Sequence, residues 1–377
     1  MADKLNGVTA QIRVRRCYGC GAILQDQYPD EKGYIPPEKF QSEDENLCQR
    51  CYKLRHYSTY KEAPSLNNEY LTILNDAKKN NDLIVYVINA FTMDSSIISN
   101  ISSYLSDNVL IVINKRDIVP YIADSRLVAR CEELLASNNI KVKDIILTSS
   151  ANNNSVNIGE IFDKIEKMRD GKSVYFIGVN QVGKSSLVNS LLKQYKNNTN
   201  KMITTSPYPN TTLDVISIPL DNFSYIYDTP GIENPDSLIS HIEPTISRFL
   251  LPRDKIKAKT EVLKAGQSLV ISNFFRLDLL DGKKVDFTYY LAPDLPISKI
   301  NLAKADNYLN ELKNENSSYL TSKINSYSDM STSTFNVSSN KINKLKIFGL
   351  GYFEFKGEGL TIQTYTLNGV KVTLENE

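Results

Sequence analysis

Through the middle of the chain, short runs of apolar residues alternate with longer stretches of mixed polarity. The runs at 83–88, 109–113, 145–147, 174–177 and 225–227 are too short for helices, and most of their positions are apolar. Runs of this kind suit strands that are buried on both faces, the situation of a central parallel sheet. Between them, 126–137 and 186–193 repeat their apolar residues at helical spacing. The pattern predicts an α/β fold, with a parallel sheet covered by helices and a ligand site outside the carboxyl ends of the strands. One pair departs from it. Segments 215–220 and 225–227 are joined through Asp221-Asn222, which predicts an antiparallel hairpin.

The flanks have a different texture. Residues 2–16 are polar and lack the apolar core of a signal peptide, and no run of about 18 apolar residues occurs anywhere. The expectation is a cytoplasmic monomer with no membrane partner. After the central region a helix-like stretch at 237–249 leads into a basic segment, Arg253, Lys255, Lys257, Lys259 and Lys264. Strand character follows at 268–275, 287–291 and 345–355, and the Ser- and Asn-rich stretch 317–344 reads as an excursion. The 377 residues accordingly divide into an N-terminal module at 1–62, a central domain at 63–236 and a C-terminal mixed α/β domain at 237–377. With a formal charge of only +1, any nucleic-acid binding must come from local patches.

Four of the five cysteines fall in two Cys-x-x-Cys pairs, Cys17/Cys20 and Cys48/Cys51. Four thiolates satisfy a tetrahedral Zn²⁺, and such an ion can fold a module too small for its own core. A redox pair explains one such motif but not two matched ones. Around the second pair Arg50, Tyr52, Lys53, Arg55, Tyr57 and Tyr60 interleave charge with rings, which suits RNA and equally suits a solvated linker face. Cys131 lies in a helical pattern and reads as a small buried hydrophobe.

The chemistry is concentrated in five motifs. Strand 174–177 runs into Gly178-Val-Asn-Gln-Val-Gly183-Lys184-Ser185, a phosphate loop. There the backbone N–H groups from Gly178 through Asn180, Gln181, Val182 and Gly183 to Ser186 wrap phosphates, Lys184 neutralises them, and the Ser185 hydroxyl ligates Mg²⁺. Asn114-Lys115-Arg116-Asp117 is a guanine-reading motif. The Asp117 carboxylate accepts from the ring N1–H and the exocyclic amine of guanine, a donor pair that adenine lacks. Asn114 braces the loop, the Lys115 stem covers the base, and Ser150-Ala151 supplies an N–H to the base carbonyl. Thr212, with Thr211 as second choice, is the candidate switch I threonine on Mg²⁺. Asp228 holds the Mg²⁺ shell through water, and the Gly231 N–H contacts the γ-phosphate. Lys184, Thr212, Asp228 and Gly231 are therefore the candidate catalytic set for GTP hydrolysis to GDP. The residue after Gly231 is Ile232, where Ras-like enzymes place a water-orienting glutamine, so intrinsic hydrolysis is expected to be slow.

The order of these motifs is cyclically shifted. The guanine motif and the Ser-Ala loop precede the phosphate loop, and switch I and switch II follow it (G4-G5-G1-G2-G3). The order, the Leu47-Cys-Gln-Arg-Cys-Tyr-Lys-Leu-Arg-His-Tyr57 segment, Leu251-Pro-Arg-Asp-Lys-Ile-Lys257 and Lys264-Ala-Gly-Gln-Ser268 together resemble the YqeH family of circularly permuted GTPases. The resemblance covers nearly the whole chain. It implies a factor for assembly of the small (30S) ribosomal subunit, with 16S rRNA or ribosomal proteins as partners and with RNA or protein contacts in the C-terminal domain. Two positions depart from the family pattern. Gln181 stands where related GTPases use an asparagine that helps to hold an activating K⁺, so K⁺ is implied less firmly than GTP and Mg²⁺. Asn210 replaces a glycine in switch I and tolerates the same positive φ. Two other readings compete: a GTP-dependent switch on a protein partner without RNA, and a small-molecule kinase, which leaves Asn114–Asp117 without a role. From motif order alone, a switch II movement is expected to reach the C-terminal domain directly.

Overall fold

The computed structural model describes residues 15, 23–29, 33–40, 48–49, 68–149, 157–198, 206–207, 215–314 and 319–376. In the central region seven strands form one sheet. They are β1 (Leu83–Asn89), β2 (Val109–Asn114), β3 (Asp144–Leu147), β4 (Val174–Ile177), β5 (Ser206–Pro207), β6 (Ile216–Pro219) and β7 (Tyr225–Asp228). Their spatial order is β3-β2-β1-β4-β7-β6-β5. All neighbours from β3 to β7 are parallel, whereas β6 runs antiparallel to β7 and β5. Every residue of β1, β2 and β4 is buried, as their unbroken apolar runs require.

The permutation is visible in space. Without it, the segment after switch II would run on into the strand beside β4. Instead the helix Asn68–Asn80 enters from the N-terminal side and leads into β1. Tyr70, fully buried on this helix, donates through its hydroxyl to Thr229 Oγ1 at 2.6 Å, and Thr229 in turn donates to the Phe176 carbonyl at 2.7 Å. The two sides of the cut thus remain in hydrogen-bonding contact. On the far edge, Asp221 shapes the β6–β7 turn: its carboxylate accepts from the N–H groups of Phe223 and Ser224 and from Arg169 Nη1 at 2.9, 2.8 and 3.1 Å. Phe223 at the tip is 92% exposed.

The C-terminal region is dominated by strands. One five-stranded antiparallel sheet has the order β12 (Ile297–Asn301), β9 (Gln267–Ile271), β10 (Phe275–Asp281), β16 (Leu360–Thr366), β13 (Ser331–Val337). The other has the order β17 (Val372–Asn376), β14 (Ile342–Ile347), β15 (Gly351–Lys356), β11 (Val285–Tyr290), β8 (Lys259–Leu263). Both contribute to one core, in which Phe275 of the first sheet stacks on Phe353 of the second, centroids 5.7 Å apart. The helical contribution is the helix Ala305–Asn314 and two short helices, Leu238–His241 and Pro244–Leu250.

Two of the expected strands are hairpins. The run 268–275 turns at Ser272, whose φ is +50°, and the run 345–355 turns at Gly349, with φ +81°. Both turns are flanked by apolar residues, so hydrophobic pattern alone does not reveal them. Asn273 is built into the first: it donates to the Thr321 carbonyl at 2.8 Å and accepts from the Thr321 N–H at 2.9 Å. The stretch 317–344 is likewise not an excursion where it is described. Ser331–Val337 is an edge strand with one half-exposed face, and Tyr327 covers Arg276. The Arg276 guanidinium lies between the rings of Tyr327 and Tyr365, 4.6 Å from each, and makes two 2.7 Å bonds to buried Asp278. A buried charge so paired needs its aromatic lid, which orders the polar segment.

The sandwich docks on the central domain beside the guanine motif. Tyr352 enters the central core, and Tyr121, Tyr290 and Tyr352 stack in series with centroids 4.9 and 4.7 Å apart. Beside them Asp94, Arg130, Glu375 and Lys346 form a closed ring of alternating charges, with contacts of 2.7, 3.1, 2.7 and 3.0 Å around it. Burial pushes the Asp94 carboxyl up, but Lys346 and Arg130 outweigh it and leave it below the ordinary carboxylate range. A carboxyl depressed in the folded state stabilises fully above its unfolded pKa, near 4, and loses that contribution as pH falls further. The urea midpoint should therefore drop between pH 5 and pH 3. Asp94→Asn should flatten that dependence and lose about 1–3 kcal/mol at pH 7, and an unflattened profile would remove the ring from the interface's acid response.

Candidate nucleotide-binding site

The described motifs lie at strand ends: the guanine motif follows β2, the phosphate loop follows β4 and switch II follows β7. Gly178 directly follows β4 and is pressed against β1: a Cβ there would stand 2.5 Å from the Val87 carbonyl oxygen. The loop then needs left-handed backbone at Gln181 (φ +67°) and Gly183 (φ +88°) before the helix Lys184–Asn198 begins. Leu187 N–H bonds the Gly183 carbonyl at 2.9 Å, so the helix starts at the loop's end and points its first N–H groups into it. Lys184 is 6% exposed, and its ammonium donates to Asp228 Oδ1 at 2.7 Å and to the Thr229 carbonyl. The phosphate-loop cation and the switch II carboxylate are thus held against each other at the centre of the site. Ser185 and Ser186 are exposed at the helix start.

Switch II is zipped onto the phosphate loop. Ile232 N–H donates to the Gly178 carbonyl and Asn180 N–H to the Ile232 carbonyl, both at 3.0 Å, and Val179 and Ile232 pair as a parallel bridge. Ile232 is fully buried in the central core. An apolar side chain after Gly231 therefore has a packing role that a glutamine could not fill.

The guanine motif is braced from two sides. Asn114 Nδ2 donates to the Val182 carbonyl at 2.9 Å, joining the end of β2 to the phosphate loop. Lys115 adopts a left-handed conformation, φ +62°, and although the residue is half-buried, desolvation pushes its ammonium down to about 8 against the opposing attraction of Asp117. Ser149 Oγ donates to Asp117 Oδ1 at 2.6 Å, and Arg116 N–H bonds the Thr148 carbonyl at 3.0 Å. Ser149 belongs to the Thr148–Ala151 motif, but motif reading gives its side chain no role. It lies one position before the Ser-Ala pair, and its contact with Asp117 spans two loops, which sequence spacing cannot register. Ser150, Ala151, Thr211, Thr212, Cys17, Cys20 and Cys51 lie outside the described residues. Cys48 is buried, in a small cluster with Leu24 and Ile35 against which Phe40 packs.

With this geometry in view, residues 69–238 match the model of the RsgA GTPase family. This segment is similar to the RsgA GTPase domain, and its motifs stand in the cyclically shifted order. The chain is 29% identical to YqeH of Bacillus subtilis (strain 168) over 362 residues, covering 94% of this chain and 97% of that one. It is 24% identical over 318 residues to NO-associated protein 1, chloroplastic/mitochondrial, of Arabidopsis thaliana, covering 73% of this chain and 56% of the plant protein. GTPase Der of Aquifex aeolicus (strain VF5) is 30% identical over 177 residues, 43% of this chain and 37% of that one. The chain is accordingly a GTPase, and its chemistry is guanine-nucleotide hydrolysis. Among the described residues no helix is long and apolar enough to cross a membrane.

Gly178→Ala tests the tightness of the GTPase site. The added methyl must displace backbone at β1, so the urea midpoint should report a loss of about 1–3 kcal/mol. An unchanged midpoint would mean that β1 and the loop do not pack this closely.

Proposed function

We propose that this GTPase is a cytoplasmic assembly factor of the small ribosomal subunit, gripping its RNA target in the GTP state and releasing it after hydrolysis. The observation that carries this reading is the basic run behind switch II. Arg253, Lys255, Lys257, Lys259 and Lys264 all stand exposed, while Ile256 among them is buried and its N–H bonds the Ile118 carbonyl at 2.9 Å. Ile118 closes the short helix that contains Asp117. A dense row of lysines supplies the salt-dependent attraction that RNA phosphates reward, and this row is hydrogen-bonded to the guanine-reading loop.

In this reading Asn114, Lys115 and Asp117 hold guanine with Ser150 and Ala151, and the backbone from Gly178 to Ser186 wraps the phosphates. Ser185, Thr212 and Asp228 suit Mg²⁺, which when bound supplies positive charge to the β- and γ-phosphates. Lys184 adds the neighbouring cation and the Gly231 N–H senses the γ-phosphate. With Ile232 committed to the core, hydrolysis is slow until a partner polarises the water. Cys17, Cys20, Cys48 and Cys51 hold structural Zn²⁺. Nucleotide state passes from switch II to the sandwich through its exit segment: Asn234 Nδ2 donates to the Ser95 carbonyl at 2.7 Å, Leu238 N–H to Phe348 at 2.8 Å, and Lys371 N–H to Asp236 at 2.9 Å.

Asp117→Asn should weaken GTP binding about a hundredfold or more, the effect of losing two charge-assisted bonds, while gaining xanthosine triphosphate. Ser149→Ala should weaken GTP by about tenfold without that gain, because the carboxylate stays but loses its orientation. Fluorescent-nucleotide titration reads both. Co-sedimentation with small ribosomal subunits decides the larger claim: retention with a non-hydrolysable GTP analogue and release with GDP is expected. No association in any state, with GTP still bound, would leave the second reading, a switch on a protein partner, for which the 92% exposed Phe223 is the natural anchor.

A further inference from the structure

One stretch of chain grips the tip of the phosphate loop from two sides. On the switch II side, Ile232 shares two backbone bonds with Gly178 and Asn180, and Gly231 lies so near that a Cβ on it would stand 2.3 Å from Asn180 Oδ1. On the other side, Gln181 Nε2 lies 3.5 Å from Ser247 Oγ, at the long end of hydrogen bonding. Ser247 is 1% exposed on the helix Pro244–Leu250. Asn180 and Gln181 are consecutive, and both neighbours come from residues 231–247. Gln181 also holds a φ of +67°, which a side chain other than Gly or Asn rarely adopts without outside support.

The helix that carries Ser247 is fastened to the C-terminal sandwich. The Glu243 carboxylate, which immediately precedes it, accepts from Thr321 Oγ1, Ser322 N–H and Ser322 Oγ at 2.6, 2.9 and 2.6 Å. Thr321 is in turn held by Asn273 in the β9–β10 turn. A continuous line of contacts therefore runs from the sandwich through Glu243 and Ser247 to Gln181. It bypasses the residues that sense the γ-phosphate.

We propose that Ser247 is a positioning residue for the phosphate loop, setting the conformation of Gln181 and so the affinity of the site for the phosphates common to GDP and GTP. The proposal rests on the nucleotide reading of this loop. A relay through switch II distinguishes the two nucleotides, because it depends on the γ-phosphate. Support of the loop by Ser247 shifts both affinities together, and seating of the sandwich acts on retention of either nucleotide.

The test is a double-mutant cycle on the full chain, with dissociation constants for fluorescent GDP and a fluorescent non-hydrolysable GTP analogue. Ser247→Ala is expected to weaken both about fivefold, with Gln181→Ala similar and the double variant no weaker than Gln181→Ala alone. Glu243→Gln, remote from the loop, should weaken both nucleotides in the same ratio. Urea midpoints verify that each variant is folded. Unchanged binding in folded Ser247→Ala, additive losses in the double variant, or a loss confined to the GTP analogue would each overturn the proposal. Failure of the unsubstituted protein to bind either nucleotide would instead sink the nucleotide reading itself.

Discussion

The backbone pairing of Val179 with Ile232 is the constraint on which the architecture turns. Two N–H···O bonds join the strand-to-helix loop after β4 to the segment that leaves the sheet, and the Ile232 side chain locks that segment into the core. A short loop with left-handed residues has few contacts of its own and would wander if its neighbour did. Here its neighbour is a buried hydrophobe, so the loop is held in register by hydrophobic burial acting through the backbone. The same pairing fixes the direction in which the chain departs toward Ser237, Leu238 and the sandwich.

Charge is distributed unevenly between interior and rim. Lys184–Asp228 and Arg276–Asp278 are nearly dry pairs, each with further polar or aromatic neighbours, as buried ions require. The ring of Asp94, Arg130, Glu375 and Lys346 is wetter and sits at the seam between the two cores. It confers specificity of seating more than strength, because screening and side-chain ordering offset much of its attraction. The tyrosine stack beside it is less sensitive to salt, and the two devices together hold the sandwich through different physics.

The central sheet was legible from its sequence because burial on both faces writes continuous apolar runs, and the guanine motif, the phosphate loop and switch II each follow a strand end where the chain must turn. The β6–β7 hairpin was legible for a related reason, since Asp221 caps its own turn. Beyond residue 237 the signal fails. The turns at Ser272 and Gly349 are buried among apolar neighbours, and Ser331–Val337 is polar because it lies at a sheet edge. Its order depends on partners such as Ile362 and Thr364 that lie far along the chain. Within the described site, the phosphate loop, the guanine motif and switch II are visible as motifs in the sequence, whereas the contacts of Ser149 and Ser247 are not. Each acts on a motif residue from another loop or helix, and only three-dimensional proximity reveals it.

The hydrogen bond between Tyr70 and Thr229 has a mechanical meaning. It joins the helix that leads into β1 to the segment that leaves β7, so the two places where the central domain meets its flanking segments are pinned to each other rather than left to separate. A pull on either flank is therefore shared between β1 and β7, on both sides of β4, and the strand that leads into Gly178 is loaded symmetrically.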